Sequence, residues 1–202
     1  MAYRETEKVI ARKEEKRVRL ISAARELIAE GGFSTVQMSS VAAAAGVATG
    51  TVYRYFPSKA ELVAEVFRVV TQWEVDVMGQ VAASGVGPRE RLEGAITTFS
   101  KRALMAPRLA YALIFEPGDP MVEAERIVFR RSYARIISQI LKDGIAEGEF
   151  AVQPVDIVAN CIVGGFAEAL IGPLAPDQTS TQFERDETIS TIVNFCLKAV
   201  AK

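Results

Sequence analysis

The sequence predicts an all-α protein of about nine helices joined by short turns. Apolar residues recur at intervals of three and four along the chain, which is the period of an amphipathic α-helix. Glycine and proline interrupt this pattern at helix-length intervals, without a Ser/Gly-rich linker, low-complexity tract or internal repeat. Because 50% of the 202 residues are apolar, the chain can form one or two globular domains with a core.

Two helices are predicted in the first part of the chain. The first runs from Lys16 to Glu30 and ends at Gly31-Gly32, because glycine readily adopts the left-handed conformation that follows many helices. The second follows Ser34-Thr35-Val36-Gln37, which has the pattern of a capping box. Its apolar positions, at helical spacing, are Met38, Val41, Ala42 and Ala45.

A tight turn and a short third helix come next. Gly46 suits the left-handed conformation of the turn, and Val47 can fill the apolar angle between two crossing helices. The third helix begins at a Thr49 cap and ends at Phe56. It is short because Pro57 lacks the amide hydrogen that would continue it.

Longer helices are predicted from Ser58 onward. Ser58-Lys59-Ala60-Glu61 has the pattern of a second capping box and opens a helix that extends to about Val81. A break at Gly85 to Pro88 and turns at Glu116 to Pro120 and at Gly148 to Phe150 separate the later segments. The remaining predicted helices are Arg89–Leu104, Leu109–Phe115, Met121–Glu147, Val155–Ile171 and Glu184–Ala201.

The charge distribution separates the N-terminal part of the chain from the rest. Residues 1–60 contain ten Lys or Arg against six Asp or Glu, a net charge of +4. Residues 61–202 contain fourteen against nineteen, a net charge of −5. A basic N-terminal unit on an acidic body suits a polyanionic partner for the first part only.

Histidine is absent, which excludes Ser/His and Cys/His nucleophilic pairs, imidazole general bases and the commonest metal ligand. We therefore expect no catalytic residues, no metal and no cofactor. Cys161 and Cys196 lie far apart in apolar helical patterns, so both are expected to be buried free thiols. The charged first residues do not resemble a signal peptide and no apolar run is long enough to cross a bilayer, which predicts a cytoplasmic protein without a membrane partner.

The stretch from Val41 to Leu62 carries the most specific pattern in the sequence. It reads VAAAAGVATGTVYRYFPSKAEL, and its parts are a small-residue helix, the turn Ala45-Gly46-Val47, Gly50-Thr51-Val52-Tyr53, the pair Tyr55-Phe56, and Lys59 before Leu62. This pattern closely resembles the helix-turn-helix of TetR-family transcriptional regulators, and the resemblance extends back through Leu20 to Phe33. It implies a DNA-binding domain over residues 1–60 and a ligand-binding and dimerisation domain over residues 61–202.

The third predicted helix has the chemistry to enter the major groove of DNA. A narrow leading end lets a helix approach phosphates and base edges closely, and Thr49-Gly50-Thr51 provides such an end with two hydroxyls. Arg54 is the candidate for bidentate recognition of guanine. By resemblance to the family, Thr35 and Gln37 also face DNA. Candidates for phosphate contacts are Tyr53, Tyr55 and Lys59.

Packing and solvent exposure offer alternative interpretations of these residues. Tyr55 can pack the third helix against its neighbours, as we expect of Phe56, while Arg54 can be a solvated residue or a phosphate clamp instead of recognising a base. Lys59 can be a solvated charge. The basic run from Arg12 to Arg19 is either an ordinary charged helix face or an arm that lies along the phosphate backbone.

A dimer is expected because one helix-turn-helix of this size contacts only a few base pairs. The two last predicted helices hold more apolar surface than one small domain needs to bury, and in TetR-like proteins the corresponding helices form a four-helix bundle between subunits. A two-fold axis then implies a palindromic operator. Small residues that allow close helix approach there are Ala159, Gly164, Gly165 and Ala167.

The family resemblance implies a ligand cavity among the fourth to eighth helices. We expect a largely apolar, elongated effector, and a drug-like compound, a fatty acyl derivative and a phenolic metabolite all remain open. Core packing or surface exposure is an alternative interpretation for every candidate. The candidate ligand-binding residues are Trp73, Met78, Phe99, Met105, Tyr111, Phe115, Phe129, Arg130, Tyr133 and Glu168.

The main hypothesis is a homodimeric repressor that a small molecule releases from DNA. A second hypothesis is an effector-binding helical dimer that acts on another protein. A third is an all-helical enzyme, although no Glu-x-x-His motif is available for a di-metal centre and the turn around Pro117 explains Asp119 without chemistry. The carboxylates that such an enzyme would use are Glu116, Asp119, Glu123 and Glu168.

Overall fold

The computed structural model describes residues 7–84 and 87–202, and the regular structure within these ranges is entirely helical. It confirms the all-α prediction. Of the predicted break at Gly85 to Pro88, the first two residues lie outside the described ranges. The helices are α1 (Glu7–Gly31), α2 (Met38–Ala44), α3 (Thr49–Tyr55), α4 (Lys59–Ala82), α5 (Pro88–Met105), α6 (Pro107–Ile114), α7 (Pro120–Ala146), α8 (Val155–Ala169), α9 (Ile171–Leu174) and α10 (Gln182–Val200), with a 3₁₀ turn at Phe33–Thr35.

Each of the nine predicted helices is present, and α9 is an addition. It is a single turn that contains Gly172 and Pro173, the two residues expected to end the preceding helix. Helix α1 begins nine residues earlier than predicted, at Glu7 instead of Lys16. Its first turns bury little, because the first buried residue of α1 is Leu20. Residues with good intrinsic helix propensity, such as Lys, Arg and Glu, extend it into solvent.

The predicted caps are only partly correct. Ser58 caps α4, since its hydroxyl accepts the Glu61 amide hydrogen at 3.1 Å. The expected box at Ser34-Thr35-Val36-Gln37 is wrong: Gln37 occupies the cap position of α2 and makes no side-chain capping bond to the described chain, because Ser34 and Thr35 belong to the 3₁₀ turn. Thr49 is the first residue of α3, and Ala48 is its cap residue.

A complete capping box occurs where none was predicted, at the start of α10. The Thr181 side chain accepts from the Glu184 amide, and the Glu184 carboxylate accepts from the Thr181 amide at 2.7 Å. This pair lowers the pKa of Glu184 through the hydrogen bonds from the Thr181 amide and hydroxyl. The T-x-x-E pattern at residues 181–184 could have predicted this capping box.

The helices form two packed groups that share α4. Helices α1, α2 and α3 surround a small core, and α4 packs against α1 on one side and against α5 and α7 on the other. Helix α7 also packs against α8, and α10 packs against α5 and α8. Helix α6 lies against both α1 and α5, so it reaches from the larger group back to the N-terminal one.

The two cysteines have different environments, which corrects one prediction. Cys196 is buried, as expected, and burial raises the pKa of its thiol to about 11. Cys161 is exposed on α8, because the apolar pattern there continues onto the outer face of the helix. Among the helices of the described ranges, none combines the length and apolar character needed to cross a membrane.

Candidate DNA-binding face and ligand cavity

Helix α3 is fixed to the N-terminal group by one side only. Val52 is fully buried and Phe56, just beyond the helix, is 4% exposed, so these two residues anchor α3 in the core. The turn before it contains Gly46 at φ +64°, in the left-handed region as predicted. The opposite side of α3 therefore faces solvent.

The exposed side of α3 contains the predicted DNA-contacting residues. Gly50, Tyr53 and Arg54 are exposed. A Cβ built on Gly50 would meet no described atom within 4 Å, so this glycine is not required by packing inside the chain. Thr49 is exposed and Thr51 is half-buried. The leading end of α3 is narrow and open, as a helix entering the major groove requires.

The other candidate DNA-contacting residues, at the end of α3 and around it, differ in how far they are exposed. Tyr55 is half-buried and packs against the core, as its alternative interpretation expected, and Lys59 is half-buried at the start of α4. The Thr35 hydroxyl donates to the carbonyls of Leu27 and Gly32, both at 2.7 Å, so it stabilises the 3₁₀ turn. Gln37 is exposed.

Part of the N-terminal basic run has a structural role. The Arg19 guanidinium donates to the Ala45 carbonyl, at the end of α2. Arg17 binds the Glu65 carboxylate of α4 at 2.6 Å, and its guanidinium carbon lies 5.6 Å from the centre of the Phe56 ring. These two cations hold the helix-turn-helix against α1 and α4, so they are not simply part of a solvent-facing arm.

A cavity of about 110 Å³ lies among α4, α5, α6, α7 and α8. It occurs among the helices where the effector was expected. Four predicted ligand-binding residues line it: Phe99, Phe129, Arg130 and Tyr133. Lining residues that the sequence analysis missed include Phe67, Val70, Thr71, Glu74, Arg102, Leu109, Leu113, Arg126, Val163 and Phe166.

Aromatic rings form much of the cavity wall. The Phe99 ring lies 4.6 Å from that of Phe166 and 5.3 Å from that of Tyr133, and the Phe67 and Phe129 rings are 6.0 Å apart. Tilted and edge-to-face arrangements of this kind are favourable for aromatic pairs. The wall is therefore an apolar surface suited to a hydrocarbon ligand.

Polar groups are concentrated on a few positions of the wall. Arg102 binds the Glu74 carboxylate through two nitrogens at 2.5 and 2.9 Å, and its guanidinium carbon lies 4.1 Å from the centre of the Trp73 ring. Burial raises the pKa of Tyr133, and the nearby Glu74 carboxylate raises it further. The buried Thr71 hydroxyl finds no hydrogen-bond partner in the described structure.

The other predicted ligand-binding residues do not line this cavity. Met78 is fully buried in the core, whereas Trp73 and Met105 are 57% and 81% exposed. Tyr111 and Phe115 are half-buried against the core with their rings 5.9 Å apart. Glu168 is exposed on α8.

Three of the four carboxylates considered for an enzyme make structural contacts, and the fourth, Glu168, is exposed on α8. The Glu116 carboxylate accepts the Phe33 amide hydrogen, Asp119 caps α7, and Glu123 binds Arg126. Within residues 7–84 and 87–202, no group of three or more Cys, Asp or Glu could hold a metal ion. These contacts explain the positions of Glu116, Asp119 and Glu123 without catalysis.

The outer faces of α8 and α10 expose apolar side chains. Ile157 on α8 is 66% exposed, and Phe183 and Phe195 on α10 are 76% and 64% exposed. The small residues expected between subunits divide into two groups. Gly164 is exposed and Gly165 lies under Phe195, whereas Ala159 and Ala167 are buried in the chain's own core.

Two family models match successive parts of the chain. Residues 20–66 match "Bacterial regulatory proteins, tetR family", and residues 85–169 match "Tetracyclin repressor-like, C-terminal domain". The two matched ranges contain, respectively, the helix-turn-helix and four of the five helices that surround the cavity.

Named relatives are similar over about two thirds of the chain. The repressor KstR2 of Rhodococcus jostii is 28% identical over 139 residues, which cover 67% of this chain and 68% of the relative. The fatty acid metabolism regulator protein of Bacillus subtilis is 29% identical over 139 residues, which cover 68% of this chain and 72% of the relative. FadR of Bacillus subtilis, solved in complex with stearoyl-CoA, has the same fold: its TM-score is 0.78 at 23% identity, with 91% of this chain and 98% of that chain covered.

Proposed function

This chain belongs to the TetR family of transcriptional regulators, and from that premise we propose that it is a homodimeric repressor which an acyl-CoA releases from a palindromic operator. Members of the family are DNA-binding transcription factors and not enzymes. The observation that carries the proposal is the open leading end of α3, backed by Val52 and Phe56 in the core. An operator on the chromosome would place this activity in the cytoplasm.

For DNA binding, we assign the major-groove contacts to the exposed side of α3. The Gly50 backbone can approach the groove closely, and Arg54 has the planar, two-donor geometry that matches guanine. Tyr53 and Lys59 are assigned to flanking phosphates, with Thr35, Gln37, Thr49, Thr51 and Tyr55 at the edge of the same face. The net charge of +4 over residues 1–60 favours binding to DNA of any sequence.

For assembly, we assign the subunit interface to the outer faces of α8 and α10. Three large apolar side chains there are more than 60% exposed in the single chain, namely Ile157, Phe183 and Phe195. A two-fold axis through this face would place two α3 helices side by side on one face of the DNA. The operator would then be a palindrome.

For the effector, we propose a fatty acyl-CoA. The cavity wall is mainly aromatic and aliphatic, which suits an acyl chain, and the exposed Arg130 supplies a cation for an anionic head group. A relative that regulates fatty acid metabolism and a structural neighbour that binds stearoyl-CoA point to the same chemistry. At about 110 Å³ the cavity is smaller than typical ligand pockets, so the helices around it must separate when the ligand enters.

The test begins with selection of an operator from random-sequence DNA, followed by fluorescence anisotropy titrations. We expect a palindromic operator whose affinity falls steeply with salt, and release of the protein by stearoyl-CoA but not by free coenzyme A. If no sequence is enriched, the alternative of a protein partner gains support. If an operator is found but stearoyl-CoA leaves its affinity unchanged, only the effector assignment is wrong.

A further inference from the structure

The loop after α6 contacts the N-terminal group at the turn between α1 and α2. The Glu116 carboxylate accepts the Phe33 amide hydrogen at 3.0 Å. Arg108 of α6 donates to the Gly31 carbonyl at 2.6 Å, and its guanidinium lies 3.9 Å from Glu116. Two side chains of the ligand-binding half therefore bind backbone groups at the end of α1 and the start of the 3₁₀ turn.

Gly32 allows this close approach. Its φ is +79°, and a Cβ at this position would collide with both the Glu116 carboxylate and the Arg108 guanidinium. Any other residue would therefore be strained and would also push the two side chains away. The Gly31-Gly32 pair thus ends α1 and also makes room for contact with the neighbouring domain.

Arg126, which lies in the cavity wall, also binds the C-terminal end of α6. Its guanidinium donates to the carbonyls of Leu113 at 3.1 Å and Glu116 at 2.8 Å. The Glu123 carboxylate holds it at 2.6 and 2.7 Å. The last turn of α6 is therefore held on one hand by Arg126 of the cavity wall and on the other by the N-terminal group.

We propose that Glu116 and Arg108 are positioning residues for DNA binding, and that Arg126 couples them to the cavity. The α6 latch is defined as Arg108, Glu116 and Arg126. Since Arg126 holds the α6 carbonyls at the cavity wall, a ligand that separates α6 from α7 moves the Glu116 carboxylate away from the Phe33 amide. The turn that leads into α2 then loses an acceptor, and α2 and α3 change orientation. This coupling rests on the proposed release by an effector.

The physical basis of the coupling is a continuous set of hydrogen bonds. Glu116 uses its backbone carbonyl for Arg126 and its carboxylate for Phe33, so one residue joins the two contacts. The second carboxylate oxygen of Glu116 is buried and accepts no hydrogen bond from the described residues. A hydrogen bond that a backbone amide donates to a charged carboxylate is stronger than one to a neutral acceptor, so its loss has a measurable effect.

The experiment compares four full-length variants, Glu116→Ala, Glu116→Gln, Arg108→Ala and Asp143→Ala. The Asp143→Ala control removes a different ion pair between helices, with Arg91 at 2.9 Å, in the ligand-binding half. For each variant we measure the melting temperature, operator affinity without effector, stearoyl-CoA affinity and operator affinity with saturating stearoyl-CoA. The Gln variant keeps an oxygen that can accept the Phe33 amide hydrogen.

We expect Glu116→Ala and Arg108→Ala to bind the operator about tenfold more weakly than the control without effector. Their stearoyl-CoA affinity should stay near that of the wild type, while the change in operator affinity on adding stearoyl-CoA shrinks to about twofold or less. Glu116→Gln should keep most of the wild-type operator affinity and most of the wild-type response to stearoyl-CoA. A latch that only stabilises the fold would lower the melting temperature without changing the effector response.

Two results would overturn the proposal. One is operator affinity and effector response of Glu116→Ala and Arg108→Ala equal to those of Asp143→Ala. The other is an equal loss in Glu116→Gln, which would assign the effect to charge and not to the Phe33 contact. If stearoyl-CoA fails to release even the wild type, the effector assignment is wrong, and the effector-free operator affinities alone then decide the role of the latch.

Discussion

The DNA-binding face and the ligand cavity are built in opposite ways. The face uses one side of a seven-residue helix, α3, together with its immediate neighbours in sequence. The cavity draws its wall from five helices that span about a hundred residues from Phe67 to Ala167. A site made by one short segment can be found from its local pattern, whereas a site made by distant segments depends on how the helices pack.

A cavity-wall substitution should change stability strongly and DNA binding little. Phe166 is 1% exposed and packs against Phe99, so Phe166→Ala should lower the free energy of unfolding by about 3–5 kcal/mol. Urea unfolding gives the stability, and anisotropy at a temperature where the variant is folded gives operator affinity. Because Phe166 is not part of the α6 latch, loss of operator affinity in the fully folded variant would contradict the expectation that packing changes elsewhere in the cavity wall leave the DNA-binding face intact.

A substitution on the DNA-binding face should have the opposite effect. Arg54→Ala should weaken specific operator binding by about 1–3 kcal/mol and relax the preference at one base pair, because a bidentate contact is lost. Its stability should change little, since Arg54 is exposed. Arg135→Ala, an equal charge change at an exposed position on α7, serves as the control. An equal loss of affinity in both variants would show a general charge effect instead.

A smaller effect is expected where the cavity wall contains an unsatisfied polar group. Thr71→Val replaces a buried hydroxyl without a hydrogen-bond partner among the described residues by a methyl group of similar size, so it should raise the free energy of unfolding by about 1 kcal/mol. Urea unfolding measures this change. A destabilised Thr71→Val protein would mean that the hydroxyl has a partner in solution, such as a buried water.

The sequence predicted the fold of the N-terminal group, helices α1 to α3, well because its signals are local. Gly46 has the positive φ that the turn required, and Pro57 follows the short third helix as expected. The errors there are also local in origin. Ser34-Thr35-Val36-Gln37 matches a capping box in composition, but Ser34 and Thr35 belong to the 3₁₀ turn, where the Thr35 hydroxyl binds carbonyls of α1 and the turn, and Gln37 is the cap residue of α2.

The residues that line the cavity were only partly predictable, because the type of a side chain does not determine whether it faces the cavity. Phe99 and Phe129 face the cavity, while Met105, equally apolar, is 81% exposed at the end of α5. Helical periodicity indicates which side of a helix is apolar but not which neighbour it meets. No pattern in the sequence indicated that polar residues such as Thr71 and Glu74 line the cavity. Cys161 was predicted to be buried for the same reason: it lies in an apolar helical pattern, but on a side of α8 that is exposed.

The open leading end of α3 is proposed to lie in the groove of DNA, and Gly50→Leu tests this placement most directly. Gly172→Leu, at another glycine where a Cβ would meet no described atom within 4 Å, is the matched control. We predict that Gly50→Leu folds at least as stably as the wild type, because leucine favours a helix more than glycine does, yet binds the operator about a hundredfold more weakly, while the control binds normally. Normal operator binding by a folded Gly50→Leu protein would contradict the account.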